Sequence, residues 1–136
     1  MSRRLLLVLP LLGFVGCWGG YASRAGIHAE LLTSMASKLV SLVEAGRPPA
    51  IESMGEYIYP ARRAEEFLEG YASYAEYTSY QTLKQMVSRY QGLVRRIDAG
   101  RAAGIEWSGE MAALHAEETE LRRLAAEVDD SLSNRH

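Results

Sequence analysis

Residues 5–15 read Leu-Leu-Leu-Val-Leu-Pro-Leu-Leu-Gly-Phe-Val, an apolar run with Arg3 and Arg4 before it and Gly16 and Cys17 after it. No other stretch limits the chain so strongly. Two basic residues ahead of about 7–15 apolar ones, closed by a small residue, is the layout of a secretory signal segment. The same region also holds 19 uncharged residues between Arg4 and Arg24. As a helix rising about 1.5 Å per residue, these would cross roughly 30 Å of hydrocarbon. Pro10, Gly13, Gly16, Gly19 and Gly20 count against one continuous helix, although Gly13, Gly16 and Gly19 could admit a second membrane helix at close range. Ordinary cleaved secretion is a third reading of the same segment, and in none of the three is the chain expected in the cytoplasm.

The residues around Cys17 choose among these routes. Phe14-Val15-Gly16-Cys17 resembles the lipobox of bacterial lipoproteins, in which apolar or small residues precede an obligatory cysteine. Phe14 departs from the leucine most common at its position. The resemblance covers only about residues 1–18. It implies cleavage between Gly16 and Cys17, a diacylglyceryl thioether on Cys17, and an acyl chain such as palmitate on the new amino terminus. Each buried methylene contributes about 0.8 kcal/mol, so two or three chains anchor durably where one is marginal. Trp18 stands where an aspartate would retain such proteins in the inner membrane, so the resemblance implies an outer-membrane anchor facing the periplasm.

The expected organisation is therefore a signal peptide over 1–16, a lipidated cysteine and Gly-Gly tether over 17–20, and one folded domain over 21–136. The full chain of 136 residues, 48% hydrophobic and 24% charged, suits a single globular domain and excludes disorder. A net charge of −2 offers no basic surface for nucleic acid. One cysteine rules out a disulfide framework or a cysteine-built zinc site. Cleavage would leave 13 basic against 17 acidic side chains, a balance that disfavours anionic head groups.

Beyond residue 20 the apolar spacing is helical. Ile27, Leu31, Met35, Leu39 and Leu42, widened by Leu32, Val40 and Val43, predict an amphipathic helix over 21–45 that ends at Gly46 and Pro48-Pro49. Residues 51–59 read as one or two turns, and Pro60 as the first position of a new helix. A long helix is expected over 61–98, with a kink at Gly70. Residues 98–104 read as a connector, and Ser108 as the N-cap of a last helix. That helix carries the seam Met111, Leu114, Glu118, Leu121, Ala125, Val128 and Leu132, with a Glu118–Arg122 pair at i,i+4. No strand signal occurs. The expected fold is all-α, an antiparallel three-helix bundle with a short extra helix.

Tyrosine is over-represented. Tyr57, Tyr59, Tyr71, Tyr74, Tyr77, Tyr80 and Tyr90 fall within 34 residues. Tyr71, Tyr74, Tyr77 and Tyr80 recur every three residues and sweep across half of a helix, too broad for one narrow core. Part of this stripe is expected as a partner-contact surface, because tyrosine combines large apolar area with a polar tip. The competing reading is padding of a small core. His28, His115 and Glu118 are weak metal candidates; di-iron bundles pair residues at i,i+3 but need more carboxylates, so no metal and no cofactor is expected. Glu65-Glu66 and Glu117-Glu118 point to different helix faces. No Gly-x-Ser-x-Gly elbow and no phosphate loop occurs. The expected function is a non-catalytic, lipid-anchored interaction, scaffold or assembly module with a protein partner in the envelope. The alternative is a single-pass subunit of a membrane complex.

Overall fold

The computed structural model describes the backbone of residues 2–134 and the side chains of residues 19–134. The described chain is all-α, as expected, and its described residues form four helices, the additional one being 17 residues long rather than a turn or two. They are α1 (Ser2–Glu44), α2 (Met54–Gly70), α3 (Thr78–Ala103) and α4 (Met111–Asn134). Cross-contacts fix their directions. Lys38 reaches Glu56 and Tyr21 stacks near Phe67, so α2 runs against α1. Tyr80 bonds to Leu68 and Tyr90 to Tyr57, so α3 runs against α2. Arg89 pairs with Glu117, and His115 with Glu44, so α4 runs against both α3 and α1. α1 and α3 pack on each other, with α2 on one side of them and α4 on the other.

The buried face of α1 differs from the expected stripe. Its core positions are Tyr21, Ala25, Ala29, Leu32, Ala36, Leu39, Val40 and Val43. At about 100° per residue, Ile27 points half a turn away from Ala36. It is 58% exposed, and Leu31 40%. Leu32, Leu39, Val40 and Val43 of the expected stripe lie in the core and Met35 and Leu42 pack partly against it, but alanines complete the face where Ile27 and Leu31 turn outward, because alanine carries little hydrophobic weight in a sequence pattern. Packed against neighbours, however, alanine lets backbones approach closely. The expected Gly19-Gly20 tether is helical and belongs to α1.

Helix ends follow local chemistry. After α1, Gly46 takes φ 75°, its N–H bonding to the Val43 carbonyl while that of Arg47 bonds to Leu42. After α3, Gly104 takes φ 65°, with its N–H on Arg101 O and that of Ile105 on Gly100 O. Both are Schellman closures, which need a left-handed residue at that point. The second corrects the expected connector, since residues 98–103 are helical. The chain then turns around Trp107, whose carbonyl accepts from the N–H groups of Glu110 and Met111. α4 starts at Met111, so Ser108 sits in that turn and is not its N-cap.

Two further expectations are corrected in the middle of the chain. A 3₁₀ turn, Ile51–Ser53, leads into α2, and Pro60 lies inside that helix and not at its start. An interior proline loses one backbone bond and costs about 3 kcal/mol. Burial of Met54, Tyr57, Pro60 and Ala61 in one continuous helical face offsets that cost. The expected long helix over 61–98 is broken, not kinked. α2 ends at Gly70, Tyr71 leaves helical geometry at φ −117° and ψ 34°, and a 3₁₀ turn, Ala72–Tyr74, precedes α3. The break brings the rings of residues 71–77 back onto Tyr21.

Three glycines of the last two helices and their connector should respond differently to alanine. Gly92→Ala, in open space inside α3, is expected to stabilise the fold by about 1 kcal/mol. Gly104→Ala is expected to cost about 1–2 kcal/mol for its left-handed backbone. Gly100→Ala would place its new carbon 2.5 Å from the Trp107 ring and is expected to cost about 1–3 kcal/mol. Urea unfolding of the three variants checks the order.

Candidate functional site

Two side-chain clusters stand out, one at each end of α1's packed segment. The first is aromatic. Tyr21 is fully buried where α2 ends and α3 begins. Its ring stacks on Tyr74 at 4.4 Å between centroids and on Phe67 at 5.8 Å, with Tyr71 tilted at 5.7 Å and Tyr77 at 6.4 Å. The Tyr21 hydroxyl shares a 2.6 Å hydrogen bond with the Ser79 hydroxyl. Burial pushes its pKa up, against the lowering effect of Ser79. Each ring pair adds about 0.5–1.5 kcal/mol beyond its area burial.

The four tyrosines of the stripe separate by depth. Tyr80 is a core residue, and its hydroxyl donates to the Leu68 carbonyl at 2.7 Å. Tyr71 and Tyr74 are half-buried, and Tyr77 is 36% exposed. Tyr90, deeper still, donates to the Tyr57 carbonyl at 2.6 Å; burial raises its pKa strongly. Tyr21 was the residue that sequence reasoning missed. It was read as a helix start, and nothing in its neighbours signals that rings 50 residues later close around it.

The second cluster is polar and joins α1 to α4. Glu118 is buried, and its carboxylate accepts from the Ser37 hydroxyl, from His115 Nδ1 at 3.1 Å and from Arg122 at 3.0 Å. The expected i,i+4 pair with Arg122 is thus present. Burial works to raise the Glu118 pKa, but these three partners outweigh it and hold the carboxyl below its ordinary value. The other ring nitrogen of His115 reaches Glu44 at 2.9 Å. Only the imidazolium can donate from both nitrogens at once. Glu44 first, then Glu118, therefore raise the His115 pKa. Glu117, next in sequence, turns away to Arg89 of α3.

His28 is not part of this cluster. Sixteen residues of α1, roughly 24 Å of helix, separate it from Glu44. It lies against Phe67 at 4.9 Å, with Nδ1 buried and unpaired among the described residues. Burial, aided by Arg63 and Arg24, lowers its pKa. Among the described residues no three histidine, cysteine or acidic side chains converge as metal ligands.

Shallow grooves mark the surface of the described residues, three of them beside these helices. One of about 440 Å³ runs between α1 and α4, lined by small and polar residues such as Ala29, Thr33, Ser37 and Arg122. Two more, of about 260 and 340 Å³, lie between α2 and α3 and meet where Gln91 donates to Glu65 at 2.7 Å.

No known protein family matches the chain, and neither do any curated protein or solved structure.

Two measurements follow from the clusters. Tyr21→Ala is expected to cost about 3–5 kcal/mol in chemical denaturation, the range for deleting a buried ring. The polar cluster should make stability pH-dependent. His115, raised in the fold, contributes fully below its ordinary 6.5 and loses that contribution as pH climbs through its folded value. Glu118, lowered in the fold, contributes fully above its ordinary 4.5 and loses it as pH falls through its folded value. The melting-temperature difference between the wild type and Glu44→Gln should thus be greatest between pH 4.5 and 6.5 and shrink as pH rises through the folded His115 value. In NMR titrations the His115 midpoint should lie above 6.5 and drop in Glu44→Gln.

Proposed function

We propose that the chain is a lipid-anchored protein of the bacterial envelope, held through Cys17, and that it acts as a non-catalytic interaction, scaffold or assembly module. The observation that carries this reading is the run of residues 5–15 ending in Gly16-Cys17, directly ahead of the first core residue, Tyr21. Cleavage at that point removes the apolar run and leaves the whole described core, from Tyr21 to Val128, on the mature chain. A bundle closed by buried rings and an interhelical polar cluster is a rigid platform for a protein partner. The periplasmic face of the outer membrane, given Trp18 after the cysteine, is the proposed place of attachment.

One observation favours the single-pass alternative. α1 continues unbroken from Ser2 to Glu44, so the backbone of the apolar run is helical despite Pro10 and its glycines. Among the described residues no helix is long and apolar enough to cross a membrane; the side chains of residues 5–15, on which the alternative depends, lie outside them.

Intact-mass analysis of protein recovered from membranes separates the two. The lipoprotein reading expects a chain starting at Cys17 with added diacylglyceryl and acyl mass, and accumulation of the uncleaved form in Cys17→Ser. A mature chain starting at Met1 without acyl mass would refute it.

A further inference from the structure

We propose that the tyrosine-bearing end of the bundle, residues 71–77 packed around Tyr21, rests against the headgroup layer of the membrane. This inference depends on membrane attachment through residues 5–17, in either of the two forms above. The first support is covalent. Cys17 and Tyr21 are four residues apart, so no backbone conformation separates them by more than about 14 Å, and a helix separates them by about 6 Å. Headgroups occupy only about 5–8 Å on each side of the hydrocarbon. An anchored Cys17 therefore brings the ring cluster to the bilayer surface.

Composition supplies the second support. Between Gly70 and Thr78 only Glu76 is charged. Tyr71 and Tyr74 are half-buried, Tyr77 is exposed, and small exposed Ala72 and Ser73 lie between them. Tyrosine is enriched at membrane–water boundaries, where its ring meets the apolar side and its hydroxyl meets water. The opposite end of the bundle carries Arg47, Glu52, Glu106 and Glu110 in its connecting segments, with Ile51 and Ile105 exposed among them. Arg24, Glu69, Glu76 and Lys84 flank the ring-bearing segments in the chain, and Asp129 of α4 lies near Gly26 at the same end, so this end carries no basic patch. The surface thus suits a zwitterionic lipid layer, approached through rings and not through charge.

The test uses the full-length protein with its native N-terminus in phosphatidylcholine nanodiscs that contain headgroup-spin-labelled lipid. Amide resonances of residues 71–77 are expected to broaden at least threefold more than those of 46–53 and 104–110. Equal broadening at both ends, or more at the far end, would overturn the inference while leaving attachment intact. Protein that leaves the discs on gel filtration would overturn attachment and this inference together. Tyr77→Asp is expected to halve the broadening at 71–75; unchanged broadening counts against the proposal. Should circular dichroism show Tyr77→Asp unfolded, Tyr71→Ser takes its place with the same expectation.

Discussion

The alanine-lined face of α1 sets the geometry of the rest. Ala25, Ala29 and Ala36 let three other helices come close to one rod, and Leu32, Leu39, Val40 and Val43 fill the space between them. Tyr21 closes that face at one end. Its ring occupies the gap that would otherwise open where α2 stops, and the turn at residues 71–77 is shaped to cover it. The bundle is therefore packed by small residues along its length and by rings at one end.

The other end is held by different physics. The Glu44–His115–Glu118–Ser37 chain of contacts is polar and in part open to water. An exposed charge pair is worth little, because water competes and long side chains lose freedom. Glu118 is the exception. Its carboxylate is buried, and an unpaired charge there would be strongly unfavourable. Its three donors therefore act less as added stability than as a condition for the α1–α4 seam. His115 and Arg122 belong to α4 itself, so the register between the two helices rests on the contacts that cross the seam, Ser37 with Glu118 and Glu44 with His115.

The helical class was legible in the sequence, and so were the seam of α4, the Glu118–Arg122 pair and the stop at Gly46. Each rests on contacts within one helix or on a turn that only glycine fits. The buried face of α1 was not legible, because the choice between Ile27 and Ala36 is made by neighbours distant in the chain. The division of the expected long helix was hidden for a similar reason. Gly70 alone permits a kink or a stop, and only the pull of Tyr21 on the rings of residues 71–77 makes it a stop. Pro60 misled in the opposite sense: a residue that usually opens a helix is carried inside one by burial on both sides. At the polar cluster, the i,i+3 spacing of His115 and Glu118 was visible, but Ser37 and Glu44 come from a helix more than 70 residues earlier.

α2 has the shallowest hold on the structure. It packs chiefly on α1 and α3, it lacks one backbone bond at Pro60, and two grooves run along its contact with α3. Irregular segments bound it on both sides. Cooperative units of unequal strength are common in small folds, and the weakest opens first. Here that unit would swing away with the rest of the bundle intact, uncovering Tyr90 and Val94 as a fresh apolar strip, so the molecule carries a concealed second face behind its most loosely seated rod.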